Sequence, residues 1–166
     1  MAQKRVYETI TGRRVPLNGL ARAEARFLLA VRKRFRARPG WSAFASWWIR
    51  ELGKAEISED SPAYRICKDL EARLGIAEGK VAAPDYRDYL ADLIEERYGS
   101  RYRFCKERGV DPGHLSRVLA SRSDLSLASL TNLLGALGAV LTIQGEKELR
   151  DHASPAEASR ALAGVR

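Results

Sequence analysis

The chain contains 166 residues, of which 45% are hydrophobic and 30% are charged, and its formal net charge at pH 7 is +8. This composition supports one domain or two small ones and excludes a chain that is disordered throughout. No apolar run approaches the ~20 residues that a membrane span requires, and no apolar signal segment follows the basic N-terminus. We therefore expect a cytoplasmic protein with no membrane partner.

The positive charge is concentrated in two regions. Residues 1–60 hold 13 Lys or Arg and 6 Asp or Glu, whereas the rest of the chain holds 16 Lys or Arg and 15 Asp or Glu. Within that remainder, residues 97–122 hold seven basic and two acidic residues, while residues 85–96 hold five acidic residues and one Arg. Such local excesses of positive charge are typical of surfaces that contact phosphates.

Cysteine and histidine are too few and too dispersed to suggest a metal site. Cys67 and Cys105 each fall within a helical pattern, so we expect buried reduced thiols rather than a disulfide. His114 and His152 share no ligand spacing with the two cysteines. The sequence predicts neither a metal nor another cofactor.

The N-terminal region begins with a segment, 1–17, whose β-branched residues and Thr-Gly turn signal predict either a small hairpin or an extended basic arm. Asn18 is a candidate cap for a helix over 20–38 that has one apolar face and one basic face. The basic face is explained by solvation alone, or else by contact with phosphates or with an acidic partner.

Two further helices are predicted before residue 84. After a break at Pro39-Gly40, three tryptophans within eight residues predict an aromatic core for the N-terminal half. Ser61-Pro62 begins the next helix, which Gly75 is expected to end. Residues 76–84 (IAEGKVAAP) form the best linker candidate, so we place a module boundary there.

The following region predicts short helices separated by well-defined turns. Asp85 is a cap for the first helix, and the second should stop at Gly109, a residue that adopts positive φ without strain. Asp111 caps the third helix, with Pro112 at its first position. The inward residues of this third helix recur at i, i+3 and i+4, and they are Leu115, Val118 and Leu119. The residues left facing outward are Gly113, His114, Ser116 and Arg117.

A leucine-rich helix comes next, capped by Ser126 and closed by Gly138. Its apolar side carries Leu127, Leu130, Leu133, Leu134 and Leu137. Residues 139–143 (AVLTI) predict a short strand, because β-branched residues favour extended backbone. Residues 144–166 form a charged, Ala-rich tail.

The run G-V-D-x-x-x-L-S-R-V-L, followed by S-L-x-S-L-x-x-L-x-x-A-L-G, resembles the helix-turn-helix of phage repressor and Cro proteins, the XRE family. The resemblance extends over residues 84–143, about a third of the chain. It implies that the helix carrying Leu115 and Ser116 is the recognition helix, which lies in the DNA major groove. Leu119 is a residue often seen in the antitoxin-like members.

The resemblance also implies roles for individual residues. Those expected to face bases are Gly113, His114 and Arg117. Those expected to face the phosphate backbone are Ser100, Arg101, Ser116, Ser121 and Arg122. Ser121 departs from the family, which usually has Gly there, so a left-handed turn at this residue would cost about 1–2 kcal/mol. Arg108 stands where an apolar residue is common and is expected to point to solvent.

These patterns together predict a mainly α protein with three parts. Residues 1–83 form an N-terminal helical module with a Trp-rich core. Residues 84–143 form a lambda-repressor-like helix-turn-helix bundle with a short C-terminal strand, and residues 144–166 form the tail.

The expected function is sequence-specific DNA binding by a nucleoid-associated bacterial or phage transcriptional regulator, a repressor that occludes a promoter. The alternative is an antitoxin that binds a co-encoded toxin, or another protein, through residues 1–83 and represses the shared operon. We predict no catalytic residues, because the sequence contains no Gly-rich phosphate loop, metal-ligand cluster or nucleophile–base pairing.

A homodimer is expected, because one recognition helix reads too few base pairs to select a site in a genome. The candidate interface is the leucine-rich helix together with Val140, Leu141 and Ile143 of the predicted strand. Two such strands could pair antiparallel across a two-fold axis and cover each other's edges. The alternative is that the strand pairs within the chain, near Val6–Ile10.

Overall fold

The computed structural model describes residues 5–142, and these residues are mainly α, as predicted. They form two strands, β1 (Val6–Glu8) and β2 (Arg14–Pro16), and seven helices. The helices are α1 (Arg22–Arg36), α2 (Trp41–Lys54), α3 (Pro62–Ala77), α4 (Tyr86–Tyr98), α5 (Arg101–Arg108), α6 (Pro112–Leu119) and α7 (Leu127–Ala136). None of these helices is both long and apolar enough to cross a membrane.

The chain divides into two compact units between Ala83 and Pro84. The first, unit 1, contains the two strands and α1–α3, and the second, unit 2, contains α4–α7. Each unit has its own hydrophobic core.

Unit 1 begins with the predicted hairpin rather than the extended arm. β1 and β2 pair antiparallel, with Tyr7 opposite Val15, and Gly12 in the connecting turn has a φ of +81°. Because side chains alternate between the faces of a strand, Tyr7 and Val15 share the inner face, and both are buried.

The predicted apolar face of α1 and the aromatic core of α2 are confirmed. The buried side chains of these two helices are Phe27, Leu28, Val31, Phe35, Phe44, Trp48 and Leu52. Trp41 and Trp47 are half-buried against the same core. The predicted cap of α1 is wrong: Ala21 occupies the cap position in place of Asn18, and its N–H donates to the Glu24 carboxylate at 2.9 Å.

Gly75 does not end α3, which continues to Ala77 and is followed by Gly79 at a φ of +66°. Gly75 is needed for packing instead. A Cβ placed on it would lie 2.5 Å from Cγ2 of Val81, where the chain folds back over the helix. The segment expected to be a linker is therefore partly helix and partly a turn packed on α3.

The hairpin is fastened to α3 by a buried polar cluster that the sequence analysis did not anticipate. Asp69 accepts hydrogen bonds from the Tyr7 hydroxyl, from Nε of Arg73 at 2.7 Å and from the N–H of Ile10 at 2.6 Å. Arg73 also donates to the carbonyl of Glu8 at 3.2 Å. Burial, with the neighbouring Asp69 charge, raises the pKa of Tyr7 well above its usual value. A buried carboxylate with this many donors is compensated rather than destabilising.

Both cysteines are free and buried, as expected. Burial raises the pKa of the Cys67 and Cys105 thiols. Since the thiolate is the reactive form, neither cysteine is suited to nucleophilic chemistry.

Unit 2 differs from the predictions at its outer surface. Its core contains Leu90, Ile94, Phe104, Cys105, Leu115 and Leu137, whereas Tyr89 of α4 is exposed. Residues 139–142 are not in a strand, and Ile143 lies outside the described residues. Val140 is 86% exposed and Leu141 is 52% exposed. The predicted C-terminal strand is therefore wrong over 139–142, where the apolar side chains at 140 and 141 have not gained burial.

Candidate nucleic-acid interface

The turn between α5 and α6 is built as the sequence predicts. Gly109 ends α5 with a φ of +65°, and the N–H of the next residue, Val110, donates to the carbonyl of Cys105 at 3.1 Å. The Asp111 carboxylate accepts from the N–H of Gly113 at 2.8 Å and so begins α6, with Pro112 at its first position. The predicted end of α5, the cap of α6 and the position of Pro112 are confirmed.

α6 packs one face on α4 and α5 and leaves the other face exposed. Leu115 and Val118 are buried and Leu119 is half-buried on the inner face. The exposed residues of the outer face include Gly113, Ser116 and Arg117, as predicted. A short helix held in this way presents its outward side chains in fixed positions.

His114 lies at the edge of this face rather than on it. It is half-buried, and it stands four residues before the fully buried Val118, in the same row of the helix. The prediction that His114 points fully outward therefore needs correction, because a residue in that row is partly covered by the core.

Arg117 is placed at the centre of the outer face. Its side chain extends toward the N-terminus of α6, so that Nη1 lies 3.6 Å from the position that a Cβ atom on Gly113 would occupy. Among the described residues no carboxylate forms an ion pair with Arg117. Its planar set of donors is therefore available to an external acceptor.

The loop after α6 ends the helix with a Schellman motif. The N–H of Arg122 donates to the carbonyl of Arg117 at 2.8 Å, and the N–H of Ser121 donates to that of Val118 at 3.0 Å. Ser121 has a φ of +56°, so the left-handed turn expected at this residue is present without the usual glycine. Both Ser121 and Arg122 are exposed at the end of α6.

The N-terminus of α4 holds this loop in place. Arg87 donates to the carboxylates of Asp85 and Asp124, and the Tyr86 hydroxyl accepts from the N–H of Leu125 at 3.5 Å. Asp85 caps α4 as predicted, and the N–H of Arg87 lowers the pKa of its carboxyl. The position of the loop carrying Arg122 therefore depends on α4.

At the start of α5, Ser100 acts as the cap. Its hydroxyl oxygen accepts from the N–H of Arg103 at 3.2 Å, and the neighbouring Arg101 is exposed. Two exposed residues of α5 were not predicted from the sequence: Tyr102, which is 72% exposed, and Lys106, which follows it by one helical turn. The i, i+4 spacing of an aromatic and a basic residue, away from Phe104, is the signal that could have identified them.

Two other basic residues of α5 are already engaged. Arg103 pairs with Glu107 at 2.7 Å, and Arg108 donates to the Tyr98 hydroxyl at 2.6 Å while lying over the Tyr98 ring. Arg108 is exposed, as expected. Four further basic residues have no ion-pair partner among residues 5–142, namely Arg101, Lys106, Arg117 and Arg122.

The surface formed by α5, α6 and the following loop offers hydrogen-bond donors and positive charge. Within residues 5–142 there is no group of three or more His, Cys, Asp or Glu side chains placed to hold a metal ion. The arrangement is therefore chemically suited to binding anions and hydrogen-bond acceptors. Comparisons with protein-family models, with curated proteins and with solved structures gave no match to this chain.

Replacing Ser121 with glycine should stabilise unit 2 by about 1 kcal/mol, because glycine adopts the left-handed conformation without strain. Native-state hydrogen exchange of the buried α6 amides measures this directly. Ser123→Gly is the matched control, since Ser123 is not among the residues with positive φ. If the α6 amides of Ser123→Gly open as slowly as those of Ser121→Gly, or more slowly, then the turn at Ser121 carries no strain.

Proposed function

We propose that this chain is a sequence-specific DNA-binding transcriptional regulator of the repressor type, similar to the phage repressor and Cro family. The observation that carries the proposal is Arg117, a charged donor without an ion-pair partner among the described residues, on the exposed face of a short helix whose other face is buried. α6 has the size and exposure of a helix that enters the DNA major groove.

In this mechanism α6 reads base edges and its surroundings hold phosphates. Arg117 donates two hydrogen bonds to N7 and O6 of a guanine, the commonest specific contact of arginine. Gly113 beside it has no side chain, so the base pair can approach the helix closely. Arg101 and Arg122 bind phosphates on either side of the groove and set the orientation of α6. Occupation of a promoter then excludes polymerase.

A homodimer is part of this proposal, because two recognition helices double the sequence that is read. Leu127 is 67% exposed, and Leu130 and Leu134, which follow it at helical spacing, are only half-buried. Together with Val140 and Leu141, these leucines form an apolar surface that the other described residues do not cover. Since residues 139–142 are not a strand, the dimer contact is helix packing through α7 rather than strand pairing.

Arg117→Ala should weaken binding to a duplex selected by the wild-type protein from a random library by about 1–3 kcal/mol. Its binding to a scrambled duplex should change little, since the lost contact is to a base. The comparison variant is Arg101→Ala, which should weaken both duplexes alike and lower the salt slope of binding by about one. Equal losses on both duplexes for Arg117→Ala would place that residue on phosphate, and the proposed base reading would be wrong.

The dimer is tested by the triple variant Leu127→Lys, Val140→Lys and Leu141→Lys. Three charges in an apolar interface cannot be desolvated without penalty, so sedimentation should give a monomer with greatly weakened operator binding. Asn132→Lys adds a charge at an exposed polar position of α7 and should remain a dimer. A triple variant of wild-type mass and operator affinity would exclude this surface.

A further inference from the structure

The outward face of α1 in unit 1 carries a line of positive charge. Arg22, Arg26, Lys33 and Arg36 are all exposed and recur at intervals of four, seven and three residues. These intervals place them in one row along the helix, opposite the buried row of Phe27, Val31 and Phe35. At a rise of 1.5 Å per residue the row is about 21 Å long. We call it the α1 stripe.

Within residues 5–142, no acidic side chain forms an ion pair with the α1 stripe. Glu24 is the only acid in α1, and its carboxylate accepts from the backbone N–H of Ala21 at the start of the helix. Like charges at i, i+4, such as Arg22 and Arg26, slightly destabilise a helix. Lys33 and Arg36 lie in the last turn, where the helix dipole favours cations, whereas Arg22 and Arg26 lie in the N-terminal half of the helix and gain no such stabilisation.

Three exposed cations of α2 and α3 are arranged differently. Lys54 pairs with Glu51 at 2.8 Å, Arg50 lies 3.5 Å from the same carboxylate, and Lys68 lies 4.0 Å from Glu71. The stripe is thus distinguished from these three cations by its lack of neighbouring acids.

We propose that the α1 stripe binds the phosphate backbone of duplex DNA as a second, sequence-independent contact. Phosphate contacts are made chiefly by Arg and Lys side chains and need no apolar anchor. A protein partner would instead require a desolvated apolar or aromatic centre, and charged residues are depleted at such centres. The choice of DNA over RNA rests on the proposed function of unit 2, whereas the assignment to a polyanion rests on the stripe alone.

The test uses the full chain with Arg22, Arg26, Lys33 and Arg36 all changed to Gln, which retains good helix propensity. The matched control changes Arg50, Lys54, Arg65 and Lys68 to Gln, so both variants lose four positive charges from exposed helical positions of unit 1. Tryptophan fluorescence confirms that each variant is folded, because all three tryptophans lie in unit 1. Affinity for a scrambled duplex several helical turns long is then measured against salt concentration.

Each phosphate contact contributes about 0.9 to the slope of log affinity against log salt, so loss of four contacts should make the slope of the stripe variant smaller by about 3.6. The control should change the slope by less than about one. A wild-type slope in the stripe variant, or an equal reduction in both variants, overturns the proposal. The proposal is also overturned if the stripe variant has a reduced slope on single-stranded RNA but an unchanged slope on duplex DNA.

Parallel measurement of Arg117→Ala separates this inference from the proposed function. If that variant keeps its preference for the selected duplex while the stripe variant loses slope, the base-reading role fails and the second contact stands. If Arg117→Ala loses its preference and the stripe variant keeps its slope, the opposite holds.

Discussion

Gly109 and Asp111 together determine where α6 begins, which way it runs and which of its faces meets the core. The left-handed Gly109 lets α5 stop without strain, and the Asp111 carboxylate satisfies an N–H at the start of α6 that would otherwise lack a partner. Val110, between them, is held against the core. With only eight residues, α6 would be marginal alone, and it depends on this turn and on the burial of Leu115 and Val118. The exposed position of Arg117 is a consequence of these contacts.

Unit 1 is stabilised by a different kind of constraint. Its hairpin is too short to be stable by itself, and it is joined to α3 by the buried Asp69 carboxylate, which binds Tyr7, Arg73 and the backbone of Ile10. Removing one partner would leave a buried charge or hydroxyl unsatisfied, which costs more than the bond itself contributes. The cluster joins the hairpin to α3 and includes no residue of α1.

The elements of unit 2 that could be predicted from the sequence are those specified by local chemistry. Caps at Asp85 and Asp111, the glycine stop at Gly109 and the i, i+3, i+4 spacing of α6 each act within a few residues. The burial of Asp69 and Arg73 could not be predicted, because both are polar residues whose partners in β1 are about 60 positions away. Ionic residues in a helix ordinarily indicate a solvated face.

The errors have similar causes. Gly75 was expected to end α3, since glycine often does, but here its missing side chain admits Val81. The β-branched run after Gly138 favours extended backbone, yet an isolated strand gains nothing without a partner to pair with. The prediction that His114 points fully outward is wrong because His114 lies in the same row of α6 as the buried Val118. For the candidate site, sequence spacing identified Arg117 and Arg101, whereas the exposure of Tyr102 required the structure.

The central claim is that α6 selects DNA by sequence, and a genome-wide map of the DNA bound by this protein tests it most directly. We expect discrete sites that share a two-fold symmetric motif, with half-site centres about 10 base pairs apart, and loss of that motif when Arg117 is changed to Ala. An even distribution over the genome, or the same sites and motif for the wild type and Arg117→Ala, would contradict the account.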